Sequence, residues 1–384
     1  MDIPEILNHL GEEHERYFNA VAPPVIQSSN FCYKTVADFR NAIAHETHIP
    51  TYTRGANPTV SILHKKLAAL EKAEDALVFA SGTAAITASV MSLVKVGDHA
   101  ICVQKPYSWT NALLNKYLVN YGVTTTMIDG THIENFEKAI KPNTKLIYLE
   151  SPNSITFELQ DIEAVSTLAH KHGISVVIDN SYCSPLCQNP LELGADLVLH
   201  SASKYIGGHS DLVAGVVCGS KVRIENMFAK EFMNLGAIIS PNDAWLMIRS
   251  LRTLQLRIDK AVSTTPQVVE ALIGHPKIEK IYYPFLKSNP QYELAKKQMK
   301  GSPGLFSLLL KTDIKGVERF CDSLKRFLMA VSWGGHESLV IPFCAIAEEN
   351  RKANDMPDNL VRFFIGIDEV EYLKQDILQA LDKI

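Results

Sequence analysis

Four short clusters in the 384-residue chain carry side chains suited to chemistry: Ser81-Gly82-Thr83, Glu150-Ser151, Asp179-Asn180 and Ser201-Ala202-Ser203-Lys204. A lysine beside two hydroxyls can attack a carbonyl group to form a Schiff base, and the hydroxyls can bind an anion. Asp179 follows Val176-Val177-Ile178, which puts a carboxylate at the lip of an apolar run. Buried alone it would be costly, so it needs a donor or a cation, such as a protonated ring nitrogen. Ser81-Gly82-Thr83 opens an alanine-rich helical pattern. Free N–H groups at a helix start, with a glycine that admits close approach, suit a phosphate. Each cluster has an ordinary alternative: an N-cap, a tight turn, a solvated lysine. What unites them is position, because each stands at the carboxyl end of an expected strand, where open α/β sheets hold their ligands.

Those strands are short apolar runs at residues 75–80, 99–103, 145–149, 174–178, 196–200 and 212–218. They are β-branched and too short for helices, as strands buried on both faces should be. Helical periodicity fills residues 61–72 and 161–172, and alternating strands and helices imply a mostly parallel sheet flanked by helices. After residue 250 the texture changes: strands are expected at 278–283, 305–311 and 361–367, then a final helix on Val370, Leu373, Ile377 and Leu381. The expected division is an N-terminal arm (1–54), a large domain (55–249) and a smaller C-terminal α/β domain (250–384).

Composition removes several functions. Hydrophobic residues at 46% and charged residues at 21% describe an ordinary soluble globular chain. A formal net charge of −4, with no basic run, argues against nucleic acid as a partner. The acidic N-terminus does not read as a signal peptide, which points to the cytoplasm. Residues 76–94 carry no charge, yet Ser81, Thr83, Thr87, Ser89 and Ser92 interrupt them, so a buried strand turning into a buried helix is expected and not a membrane span. Seven cysteines show neither disulfide-framework nor zinc spacing, so reduced thiols and no metal are expected.

Eight ordered segments carry a resemblance: YTRGANPT (52–59), SGTAAI (81–86), ESPNSITFELQDI (150–162), VVIDNSY (176–182), HSASKYIGGHSD (200–211), GLFSLLL (304–310), SWGGHESL (332–339) and RFFIGIDE (362–369). Together they resemble the cystathionine β-lyase and γ-synthase family of pyridoxal-phosphate enzymes. The resemblance implies fold type I, the aspartate aminotransferase-like α/β fold, with pyridoxal 5'-phosphate as cofactor. It makes Lys204 the Schiff-base lysine, Asp179 the partner of the pyridine nitrogen, and Tyr107 in QKPYSWTN the ring-stacking tyrosine. Gly82, Thr83, Ser201 and Ser203 match the phosphate cradle. Tyr52 and Arg54 match a pair given across a subunit interface, with Tyr52 also counted among the catalytic groups; this implies a homo-oligomer, a dimer at least and by family habit a tetramer. Ser332 and Arg362 match the groups that hold the substrate α-carboxylate. Ser154 stands where the family commonly has Asn near the ring hydroxyl, which weakens that match. Thr83 replaces the usual Met or Ala, and RFFIGIDE replaces the commoner Arg-Leu-Ser-Val-Gly.

The expected substrate is a sulfur amino acid. Val331 occupies the position where γ-enzymes of the cystathionine type usually have Glu, and Trp109 stands where methionine γ-lyases usually have Cys. With ESP-x-SIT, KY-x-x-GHSD and SWGG-x-ESL, these features resemble bacterial cystathionine β-lyases. The implied reaction is β-elimination of L-cystathionine to homocysteine, pyruvate and ammonia. The alternatives are a γ-type transsulfuration enzyme, a cysteine desulfhydrase and, more distantly, a non-catalytic regulator that keeps the fold.

Overall fold

In the computed structural model, which describes residues 1–353 and 356–384, the continuous apolar runs become the centre of one sheet. Its strands are β1 (Asp75–Phe79), β2 (His99–Val103), β3 (Thr124–Ile128), β4 (Thr144–Glu150), β5 (Ser175–Asp179), β6 (Leu197–Ser201) and β7 (Gly215–Gly219). They lie in the order β1-β7-β6-β5-β4-β2-β3. β2 to β6 run parallel, while β7 is antiparallel to both neighbours, so β1 points the same way as β6. The carboxyl ends of β1, β4, β5 and β6 therefore share one edge, as the strand-end pattern requires. This architecture is fold type I.

The uncharged stretch 76–94 resolves into β1 and the Gly82–Met91 helix, both largely buried. Among the described residues, no helix is long and apolar enough to cross a membrane. The structure departs from the expected strands in places: β7 starts at Gly215 and not at residue 212, and β3 has no counterpart among them, nor do the short strands Leu328–Met329 and Leu339–Pro342 of the second sheet. β3 is threonine-rich and partly exposed at the sheet edge, so it lacks the apolar run that marks an interior strand.

The second sheet contains β8 (Ile278–Tyr282), β9 (Leu305–Leu310), β10 (Leu328–Met329), β11 (Leu339–Pro342) and β12 (Leu360–Phe364), in the order β10-β11-β12-β9-β8. Phe306, Phe320, Phe327 and Phe363 pack in its core with the Val370–Leu381 helix. Leu305, Leu339 and Phe364 instead join the core beneath the large sheet. Apolar packing thus carries the start of β11 and the end of β12 to the edge of the first sheet where those strand ends gather.

The segment before residue 55 behaves in two ways. Ile6 and Leu7 are buried in the core, and Lys66 donates to the carbonyls of Ile6 (3.0 Å) and Leu7 (3.1 Å). Phe18, Val21, Phe39, Ile43 and Tyr52 are exposed. The first dozen residues are thus docked on their own chain, and several large apolar side chains that follow lie open.

Candidate active site

β4 and β5 end side by side, with Glu150 in register with Asp179. Both carboxyls are buried, and burial raises both above the ordinary range, Glu150 to about 8 with Asp179 as the next cause. Asp179 accepts the Ser181 N–H at 2.9 Å and forms no ion pair with the described residues. The next strand places His200 behind it. The imidazole is 2.5 Å from Glu71, and Asn180 donates to the same carboxylate at 3.0 Å.

Ser201 ends that same strand, β6, and its N–H donates to Ser181 Oγ at 2.6 Å. The Gly82–Met91 helix begins directly above. A Cβ at Gly82 would lie 2.9 Å from both Cβ and Oγ of Ser201, so only glycine lets the helix start come this close. Ser81 caps the Ala84 N–H at 3.1 Å, which leaves the first-turn N–H groups of Gly82 and Thr83 without intrahelical acceptors. An anion-binding cradle results. The Ser203 hydroxyl is already engaged, exchanging hydrogen bonds with the Ala214 N–H (3.0 Å) and carbonyl (3.3 Å).

Lys204 follows in the turn after β6. Its Nζ donates to Ser332 Oγ at 2.6 Å and lies 4.8 Å from the Trp333 ring centre. Burial, then the charge of Arg362, lowers its pKa to about 8, against a smaller opposing pull from Asp179. Arg362 lies mid-strand in β12, buried. It donates to the Ser154 carbonyl at 2.7 Å and the Ser332 carbonyl at 3.4 Å, and its guanidinium lies 4.9 Å from the same Trp333 ring. Burial lowers its pKa to about 10. The loop between β10 and β11 is pressed onto Lys204: Ser332 has φ +82°, and a Cβ at Gly334 would meet the Lys204 backbone at under 3 Å.

Tyr107 starts the Ser108–Ala112 helix with its ring partly exposed, and its N–H donates to Glu150 at 2.6 Å. The Ser154 N–H reaches the other Glu150 oxygen at 3.2 Å. Lys204, Asp179, Ser201, Gly82, Thr83, Tyr107, Ser154, Ser332 and Arg362 thus converge on one edge. Tyr52 and Arg54 do not join them. They are exposed, the Arg54 guanidinium lies 5.7 Å from the Tyr52 ring, and neither makes a hydrogen bond, ion pair or ring contact with the cluster. Sequence reasoning missed Trp333, Ser181 and the bridging role of Glu150. The Gly334-Gly335 pair was the signal for a loop forced into close contact; nothing in the residue pattern announced the other two.

The donor set suits pyridoxal phosphate. A partly neutral lysine, an unpaired buried carboxylate for a protonated ring nitrogen, and a helix-start cradle for a dianion stand together at one edge. Comparison with known proteins decides the class: residues 6–382 match the Cys/Met metabolism PLP-dependent enzyme family. The chain belongs to that family. It is a pyridoxal-phosphate enzyme of the carbon–sulfur lyase type. It is 38% identical to L-methionine gamma-lyase of Treponema denticola, covering 98% of this chain and 96% of the relative. It is 39% identical to chloroplastic cystathionine gamma-synthase 1 of Arabidopsis thaliana, covering 98% of this chain and 68% of that longer protein. The crystal structure of metB from Corynebacterium glutamicum superposes with TM-score 0.93 at 34% identity, over 100% of this chain and 98% of the other.

Proposed function

We propose that the protein cleaves the Cβ–S bond of L-cystathionine or a close sulfur amino acid, releasing a thiol with pyruvate and ammonia. The observation that carries this reading is the placement of a buried amine of lowered pKa, Lys204, between Ser332 Oγ and Arg362. Arg362 offers a planar guanidinium for the substrate α-carboxylate, and Ser332 lies beside it. Lys204 Nζ, with an appreciable neutral fraction near pH 7–8, takes the Cα proton and returns it to the departing sulfur. Bound pyridoxal phosphate supplies the electron sink that makes that proton removable. Asp179 would hold the ring nitrogen of that cofactor in its protonated form, and Tyr107 would stack against the ring. As the C–S bond breaks, its electron pair stays on sulfur, and water converts the three-carbon remainder to pyruvate and ammonia.

The preference for the β-position rests on Val331, whose exposed apolar side chain adjoins Ser332 and offers no anion to a distal ammonium. The named relatives favour a second reading, γ-elimination or γ-replacement, because those above are a γ-lyase and a γ-synthase. Supplying cystathionine and identifying the oxo acid separates the two. Pyruvate is expected, and 2-oxobutyrate would move the protein to the γ-type. The exposed Tyr52 and Arg54 suit donation to a neighbouring subunit, which would make a dimer the smallest active unit. The exposed apolar side chains at 18–52 belong with that reading, and a division into an arm (1–54), a large domain (55–249) and a C-terminal domain (250–384) is supported by one sheet falling in the second part and the other in the third.

A further inference from the structure

Among the described residues, Glu150 is the one buried carboxyl at this edge that the reaction scheme leaves without a task. It ends β4 beside Asp179, and its two oxygens accept two main-chain N–H groups, Tyr107 at 2.6 Å and Ser154 at 3.2 Å. The loop it holds is otherwise stiff: Asn153 Oδ1 accepts the N–H groups of Ile155 (3.0 Å), Thr156 (3.0 Å) and Phe157 (3.1 Å). From that loop the Ser154 carbonyl accepts Arg362 Nη1 at 2.7 Å. A continuous path therefore runs from Glu150 through one residue to the guanidinium.

We propose that Glu150 is a positioning residue for α-carboxylate recognition, acting on Arg362 through the Ser154 main chain. The proposal rests on the reading of Arg362 as the carboxylate-binding group. The role suits a carboxyl and not an amide. Either carboxyl oxygen can accept an N–H, even when one carries a proton, whereas the amide nitrogen of glutamine is only a donor. Glu150→Gln keeps the volume but sets a donor against one of the two N–H groups. Charge predicts the opposite outcome: above pH 8, where Glu150 is ionised, removing its charge near Arg362 should leave the guanidinium more available to a carboxylate.

The test uses the holoenzyme and two unreactive ligands, norleucine and its decarboxylated counterpart pentylamine, with binding read from the cofactor absorption band. In E150Q, norleucine should bind about tenfold more weakly and pentylamine nearly as in the parent, as expected when a hydrogen bond that orients a charged group is lost. Glu150→Asp, which keeps the carboxyl but withdraws it by one methylene, should shift the same way and carries the test if E150Q does not fold. Equal weakening of both ligands, or tighter norleucine binding, overturns the proposal. Arg362→Ala is the control. If it fails to discriminate between the ligands, the reading of Arg362 is wrong; if it discriminates and neither Glu150 variant does, the role of Glu150 is wrong.

Discussion

Two lysines are taken out of water in this molecule, and they are treated in opposite ways. Lys66, in the Pro58–Glu71 helix, is fully buried and fully satisfied: Glu12 lies 3.0 Å away and the carbonyls of Ile6 and Leu7 accept its remaining protons. Arg252 completes the triad at 2.9 Å from Glu12. Lys204 is partly buried, and its hydrogen bond goes to a hydroxyl, with a guanidinium close by. Burial lowers the pKa of both. Only the first has a carboxylate within ion-pair distance, so it fastens the N-terminal segment to the core. The second is left easy to deprotonate. A buried charge with partners serves the fold, and one without them is available for chemistry.

That contrast can be broken by mutation. Lys204→Ala should abolish turnover and the yellow colour of the bound cofactor while leaving the unfolding midpoint nearly unchanged; a coloured, active variant would end the distinction. Asp179→Ala should weaken cofactor binding by roughly a hundredfold or more, in line with the about 3–5 kcal/mol cost of stripping a buried charge of its partner. Cofactor titration followed by absorbance measures this, and parental affinity would mean that the carboxylate does not pair with the ring. Lys66→Met should do the reverse of Lys204→Ala. It leaves Glu12 buried with Arg252 alone, so urea unfolding should show a loss of about 3 kcal/mol, with kcat/KM per folded molecule preserved. Arg362→Ala should raise KM by about tenfold or more with a smaller change in kcat, as loss of uniform binding requires. Steady-state kinetics that showed kcat falling alone would place Arg362 in the chemistry itself.

The smallest effect concerns protons. In apo-protein the rate of cofactor capture by Lys204 should rise with pH through a midpoint of about 8, not near 10.5, because burial and Arg362 penalise the ammonium form. Arg362→Ala removes a positive charge, which favours the ammonium and moves the midpoint up. Asp179→Asn removes a negative charge and moves it down. A midpoint insensitive to both would leave burial as the only cause.

Interior strands were readable along the chain because β4, β5 and β6 are buried on both faces and consist of little but apolar residues before their polar ends. β3 was not, because an edge strand needs no such run. Lys204 and Asp179 were recognised by standing at strand ends. Arg362 is different: it lies within β12, and only the family resemblance distinguished it from an ordinary strand arginine. Trp333 is partly buried with its indole N–H shielded and without a partner, between two cations that lie far from it in sequence; no local pattern encodes that.

The order of residues alone determined the parallel sheet, the edge at which its polar ends gather and the residues able to form a Schiff base there. Each depends on neighbours within a strand and its following turn, where side-chain type dictates local conformation. Tertiary structure decided how Lys204 is poised. Its hydroxyl acceptor and the guanidinium beside it arrive on the loop around residue 332 and on β12. They are brought in by Leu305, Leu339 and Phe364 packing beneath the first sheet. The lowered pKa of that amine depends on burial and on a charge contributed by a distant strand, so it exists only once the two sheets are packed together.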